Sequence, residues 1–165
     1  MTEMGNTLQQ QLLDILGQEV ACIEELFDVL HREQEALALR DADALEAVVA
    51  EKQTMIGRLE RLQRDRLALM DEGDYGHDND GMAALVAAAP EALSGDLTAA
   101  WRQFEERLEQ CQFQNQINGQ VLDATARQTR QALSLLLGGG GTDTELYNRD
   151  GAKTAPSGTR SYAKV

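Results

Sequence analysis

Apolar side chains recur at alternating intervals of three and four along most of the chain. In the first such row, Leu13, Leu16, Val20, Ile23, Phe27, Leu30 and Leu37 share a face with Gln34, the heptad signature of a helix packed lengthwise on another. A second row, Leu8, Leu12, Ile15, Cys22, Leu26 and Val29, widens the stripe beyond a two-stranded seam and predicts contact with two neighbours. From Leu8 to Leu39 there is no Pro, and Gly17 is the only Gly, so one uninterrupted helix is predicted there. The pattern breaks at Arg40–Glu46, where Asp43 followed three residues later by Glu46 reads as an N-cap with a capping-box partner. A second helix follows, with Leu45, Val48, Lys52, Met55, Leu59, Leu62, Arg66 and Leu69 on one face. The short connection makes the pair antiparallel neighbours.

Asp71–Gly81 (DEGDYGHDNDG) is too rich in Gly, Asp and Asn for a helix and is predicted to be a solvated loop. Residues 82–89 form a short helix ahead of Pro90, which restricts the residue before it. A third long helix is predicted from Leu97 to Leu137, its series being Leu97, Trp101, Phe104, Leu108, Cys111, Asn115, Asn118, Leu122, Thr125, Thr129, Ala132 and Leu136. At 1.5 Å per residue it would extend roughly 60 Å, longer than a compact globule of this size needs. The expected fold is therefore all-α: an elongated antiparallel bundle of three long, coiled-coil-like helices with a short extra helix. Gly138–Gly141 ends the periodicity, which divides the chain into a helical body, residues 1–137, and a C-terminal tail, residues 138–165, expected to be disordered.

Composition supports this picture. The 165 residues are 42% hydrophobic but only 4% aromatic, which favours helices over strands. The net charge of −13 argues against nucleic acid, because binding phosphates requires clustered Lys and Arg. It also argues against anionic membrane surfaces. There is no apolar run long enough to span a membrane and no basic-then-apolar leader, so a cytoplasmic protein without membrane insertion is expected. In the tail, Arg149, Lys153, Arg160 and Lys164 outnumber Asp143, Glu145 and Asp150 by one, leaving −14 on residues 1–137.

The sequence nominates no catalytic chemistry. His31 and His77 have no evident nucleophile or orienting carboxylate. Neither belongs to the Glu-x-x-His pattern of a two-metal bundle site, since Asp28 and Asp74 stand where Glu would. The acidic loop fails the EF-hand pattern, which would start at Gly76 and end at Ala87. The four-glycine run lacks the Lys and Ser or Thr of a phosphate loop, and Cys22 and Cys111 match no metal spacing. No enzyme, metal or cofactor is expected. Asn115, Asn118, Thr125 and Thr129, by contrast, interrupt an apolar row where a self-contained coil would carry Leu or Ile. Two readings stay open: a register-fixing polar layer inside the bundle, or a stretch left available to a partner.

Three segments in order carry a family resemblance across most of residues 8–147. Arg40-Asp41-Ala42-Asp43-Ala44-Leu45 with Glu51-Lys52, Asn115-Gln116-Ile117-Asn118-Gly119, and Leu146-Tyr147-Asn148-Arg149-Asp150-Gly151 are similar to the "gDleaL…ek", "N..NG" and "YD..G" segments of the FlgN family of flagellar export chaperones. Asn148 stands where that family usually has Asp, and the extension to Val165 has no assigned role. The resemblance implies a chaperone that holds the amphipathic C-terminal helices of hook-associated, hook–filament junction proteins and delivers them to the flagellar type III export gate. For such a client, Phe113, Ile117, Val121 and Leu122 are the candidate apolar contacts, with Asn115 and Asn118 as orienting groups. Tyr147 is the candidate contact to the cytoplasmic domain of the export gate. The main alternative is a structural coiled-coil homo-oligomer or adaptor, a weaker one from another class is a helical metal or redox enzyme, and a homodimer stays open.

Overall fold

The computed structural model describes the backbone of residues 2–137 and the side chains of residues 8–137. The tail, with Tyr147 and its expected disorder, lies outside the described residues. Four helices and no strand occupy the described chain: α1 (Thr2–Leu39), α2 (Ala42–Glu72), α3 (Asn79–Ala87) and α4 (Glu91–Leu136). The all-helical expectation is met.

The connection between α1 and α2 is two residues long because both serve as caps. Arg40 takes a left-handed conformation (φ 52°), and the Asp41 and Arg40 amides donate to the carbonyls of Ala36 and Leu37, a Schellman ending with Arg where Gly is usual. Asp41 is also the N-cap of α2, accepting from the Ala44 amide at 3.1 Å. The cap is thus Asp41 and not Asp43, which already lies in the first turn. α2 ends the same way, with Asp74 left-handed (φ 59°) and the Tyr75 amide donating to the Met70 carbonyl. Asp78 caps α3 by accepting from the Gly81 amide at 2.8 Å. Gly81 is required there: a Cβ would lie 1.9 Å from the Gly76 carbonyl oxygen.

Three helices start earlier than the sequence pattern indicates: α3 begins at Asn79 and α2 ends at Glu72, so both ends of the expected Asp71–Gly81 loop are helical. α4 begins at Glu91, directly after Pro90, which takes the N-cap position in an extended conformation (φ −55°, ψ 145°) and has no amide hydrogen to leave unsatisfied. Its first buried residue is nevertheless Leu97, so the hydrophobic pattern marks where burial starts and not where the helix does. The backbone of α1 likewise begins at Thr2.

α1 is the central element and packs along both α2 and α4. Its two apolar rows therefore meet two neighbours, as the wide stripe predicts. α1 and α2 run antiparallel, since Glu19 meets Arg66 and Glu33 meets Lys52. α1 and α4 run parallel: Cys111 meets Ile23 and Asn118 meets Leu30, both 88 residues apart. Leu26, Leu30, Leu59 and Phe104 centre one apolar cluster. A second, around Leu12, Leu16, Leu97 and Met70, is closed by Met82 and Leu85 of α3.

Two ionic layers interrupt this core. In one, the Arg66 Nε donates to both Glu19 oxygens at 3.2 and 2.9 Å, and its guanidinium lies 4.8 Å from the Trp101 ring centre. In the other, Lys52 Nζ donates to Glu33 at 3.2 Å and to Asn115 Oδ1 at 2.6 Å. Each layer takes an acid from α1, a base from α2 and a π face or amide from α4. Corresponding members are two heptads apart in all three helices.

Candidate partner-binding surface

Asn118 sits where α4 is last gripped by the body. Its amide nitrogen donates to the Leu30 carbonyl at 2.9 Å and to Glu33 Oε1 at 2.8 Å, and its oxygen accepts from Gln114 Nε2 at 2.9 Å. Asn115 is held by Lys52. No buried side-chain nitrogen or oxygen among the described residues lacks a partner, so Asn115 and Asn118 form a satisfied layer inside the fold, whereas Thr125 is half-buried and Thr129 exposed, their hydroxyls donating to the Val121 and Thr125 carbonyls of their own helix.

Beyond that layer the same face of α4 emerges. With the α1–α4 offset of 88 residues, the turn at Arg40 comes level with about residue 128, whereas α4 runs on to Leu136. The overhang is about eight residues, or roughly 12 Å. Leu122, Leu133 and Leu136 continue the buried face, and none of them is covered: they are 50%, 51% and 82% exposed. Leu135 and Leu137 are each 79% exposed, and Leu39 at the end of α1 is 78% exposed. Among the described residues, all the large exposed apolar side chains except Phe113 lie toward this end of the molecule. An apolar concentration of this kind marks an interaction surface more often than chance.

The six candidate residues divide into two rows. Asn115, Asn118 and Leu122 lie on the face that enters the body: Asn118 is buried, Asn115 half-buried, and only Leu122 emerges. Phe113, Ile117 and Val121 follow one another at i, i+4 and i+8 and form an adjoining outward row. Phe113 is 65% exposed and Val121 39%, with Ile117 half-buried between them. Phe113 and Leu122 are nine residues apart, half a turn out of phase at about 100° per residue, so the structure does not bring those two together. Phe113 instead lines a shallow groove between α1 and α4 with Phe27, Glu109, Gln110 and Gln114. The Phe27 ring there carries the Arg107 guanidinium at 4.3 Å.

Leu133, Leu135 and Leu137 were not among the sequence candidates. Their signal was the difference in helix lengths: a third helix longer than the second, ending on leucines, must leave an end uncovered.

Other reactive side chains have ordinary structural roles. The Cys22 and Cys111 thiols are buried and donate to the Met55 and Ile23 carbonyls. Burial pushes both up, Cys111 to about 12, so neither is a thiolate at neutral pH. His77 of the loop after α2 pairs with Asp71 in the last turn of that helix at 2.6 Å, and the rings of His31 and Phe27 meet edge to face. Among the described residues no group of three or more His, Cys, Asp or Glu could hold a metal ion, and no helix is long and apolar enough to cross a membrane.

No curated relative matches the chain. It is similar to the crystal structure of a flagella synthesis protein FlgN from Pseudomonas aeruginosa, with a TM-score of 0.63 and 26% identity over 71% of this chain and 90% of that one. The model of the FlgN protein family matches residues 1–155, which span both ionic layers, the emergent face of α4 and the first part of the tail. The chain belongs to the FlgN family.

Proposed function

We propose that this protein is a cytoplasmic, non-enzymatic chaperone of flagellar assembly that binds the C-terminal helices of hook-associated proteins along α4 and delivers them to the type III export gate. Family membership and the likeness to a flagella synthesis protein support the flagellar role. The observation that carries the binding mode is the face of α4 that is buried as far as Asn118 and continues, uncovered, to Leu136. An amphipathic client helix laid on it would extend the bundle seam by the same heptad packing. Ile117 and Val121 lie on the margin of that seam, and Asn115 and Asn118 fix where it opens.

Capture from a flagellated cell lysate tests the reading, with hook-associated proteins expected on the immobilised chain. An Ile117→Asp, Val121→Asp double substitution is expected to weaken capture by about 100-fold, since it places two carboxylates in a desolvated contact. Helical content measured by circular dichroism should stay unchanged. Undiminished capture by the folded variant would remove α4 as the client site. Tyr147 is the proposed contact to the export gate, so deleting residues 138–165 should spare capture and impair export. A truncation that instead loses client affinity contradicts that division. A homo-oligomer whose copies mask the α4 face is the competing reading, and sedimentation across concentration separates the two.

A further inference from the structure

Asn118 is the last buried residue of α4, after Leu97, Phe104, Cys111 and Gln114. Residues 119–136 continue as helix without a single buried side chain, although a helix in a protein owes most of its stability to the packing of its apolar face. That face is present in Leu122, Leu133 and Leu136, but it is unpacked. The last turn holds no basic residue to meet the carbonyl end of the helix dipole. Inside the segment the Thr125 and Thr129 hydroxyls donate to carbonyls four residues back, at 3.0 Å each, a contact that weakens and bends helices.

The residue after Asn118 is Gly119, and packing does not require a glycine there, since a Cβ would meet nothing within 4 Å. Gly17 and Gly57 have the same open space, but buried residues stand on both sides of each: Leu16 and Glu19, Ile56 and Leu59. Gly119 is anchored on one side only. Glycine has more non-helical conformations to return to than any other residue, so α4 is weakest where the body lets it go.

We propose that residues 119–136 are a local folding unit, which opens from its free end back to Gly119 and is closed by a partner helix docked on Leu122, Leu133 and Leu136. This rests on the reading of α4 as the partner-binding helix and adds how grip and release are balanced. Part of the contact free energy goes into ordering the unit. The partner is therefore held specifically without being held tightly, as a cargo that must be handed on requires.

Hydrogen exchange of the full chain, read by mass spectrometry with and without a captured hook-associated protein, provides the test. In the free chain, amides beyond Asp123 are expected to exchange on the order of 100-fold faster than those around Phe104 and Leu108. Bound partner should slow them by about tenfold or more. Gly119→Ala should slow them roughly two- to fivefold by itself, whereas Gly57→Ala, in the packed part of α2, should leave them unchanged. Equal exchange on the two sides of Asn118, or rates that Gly119→Ala does not alter, would overturn the folding unit. Capture that still depends on Ile117 and Val121 would in that case leave the client site on α4 standing. A step in exchange that persists unchanged in the complex would overturn closure by the partner, and the reading of α4 with it.

Discussion

Replacing Arg66 with Met is expected to destabilise the fold by about 3 to 5 kcal/mol, because it leaves the Glu19 carboxylate buried without its cation. The Glu19 side chain is 0% exposed and takes both of its oxygens to the Arg66 Nε. Burial raises its pKa above the usual carboxylate range, and the Arg66 charge opposes that rise. The raised value sets the direction of the pH dependence. The folded state holds the proton more tightly than the unfolded chain, so this group favours folding below its ordinary pKa and loses that contribution as pH rises through the raised one. Without Arg66 the rise is larger and the window extends further toward neutrality. Urea titrations of both proteins between acid and neutral pH should show the deficit of Arg66→Met shrinking on acidification. A Glu19→Leu, Arg66→Met double variant should recover most of the loss, since an apolar pair fills the same space without desolvating charge. A loss below about 1 kcal/mol in the single variant would mean that water reaches Glu19.

Phe104→Ala is expected to cost about 3 to 5 kcal/mol as well, by a different route. Phe104 is 1% exposed and joins α1 to α2 through a cluster with Leu26, Leu30, Ile56 and Leu59. It also stacks on Trp101 at 5.9 Å, so its loss strips the neighbouring cation site of support. Thermal denaturation should show a fall in Tm on the order of 10 °C for a chain of this length. Phe113→Ala on the same helix is the internal comparison: with a 65% exposed side chain, it should leave Tm almost unchanged. Equal losses at the two positions would contradict the assignment of buried and open faces on α4.

The parts of this architecture that were legible in the sequence are those written in local periodicity. The double stripe of α1 gave away two neighbours, and the lack of Pro and Gly gave its length. The turn was less legible because its left-handed position holds Arg40, a residue that does not advertise that conformation. The Asp43–Glu46 spacing then offered a plausible cap in the wrong place, while the working cap, Asp41, is the residue that also closes α1. The start of α4 was missed because six helical residues precede its first buried side chain. The two readings of Asn115 and Asn118 could not be separated from α4 alone. Their partners, Lys52 and Glu33, lie 63 and 85 residues away, and only packing brings an acid and a base to those amides. The open leucines were missed for the converse reason: heptad spacing continues through Leu136 whether or not anything lies against it.

The two-heptad interval between the ionic layers acts as a two-toothed key. Sliding α2 by one heptad along α1 would set Lys52 against Leu26 and Leu59 against a carboxylate, stranding both charges. Sliding it by two would rescue one pair and push the other off the end of the helix. A helix put in place of α2 would need a base at both notches, since an apolar segment with neither leaves Glu19 and Glu33 without a cation. The register of α2 is thus fixed by charge as well as by fit, and the end of α4 beyond Asn118 carries no such layer.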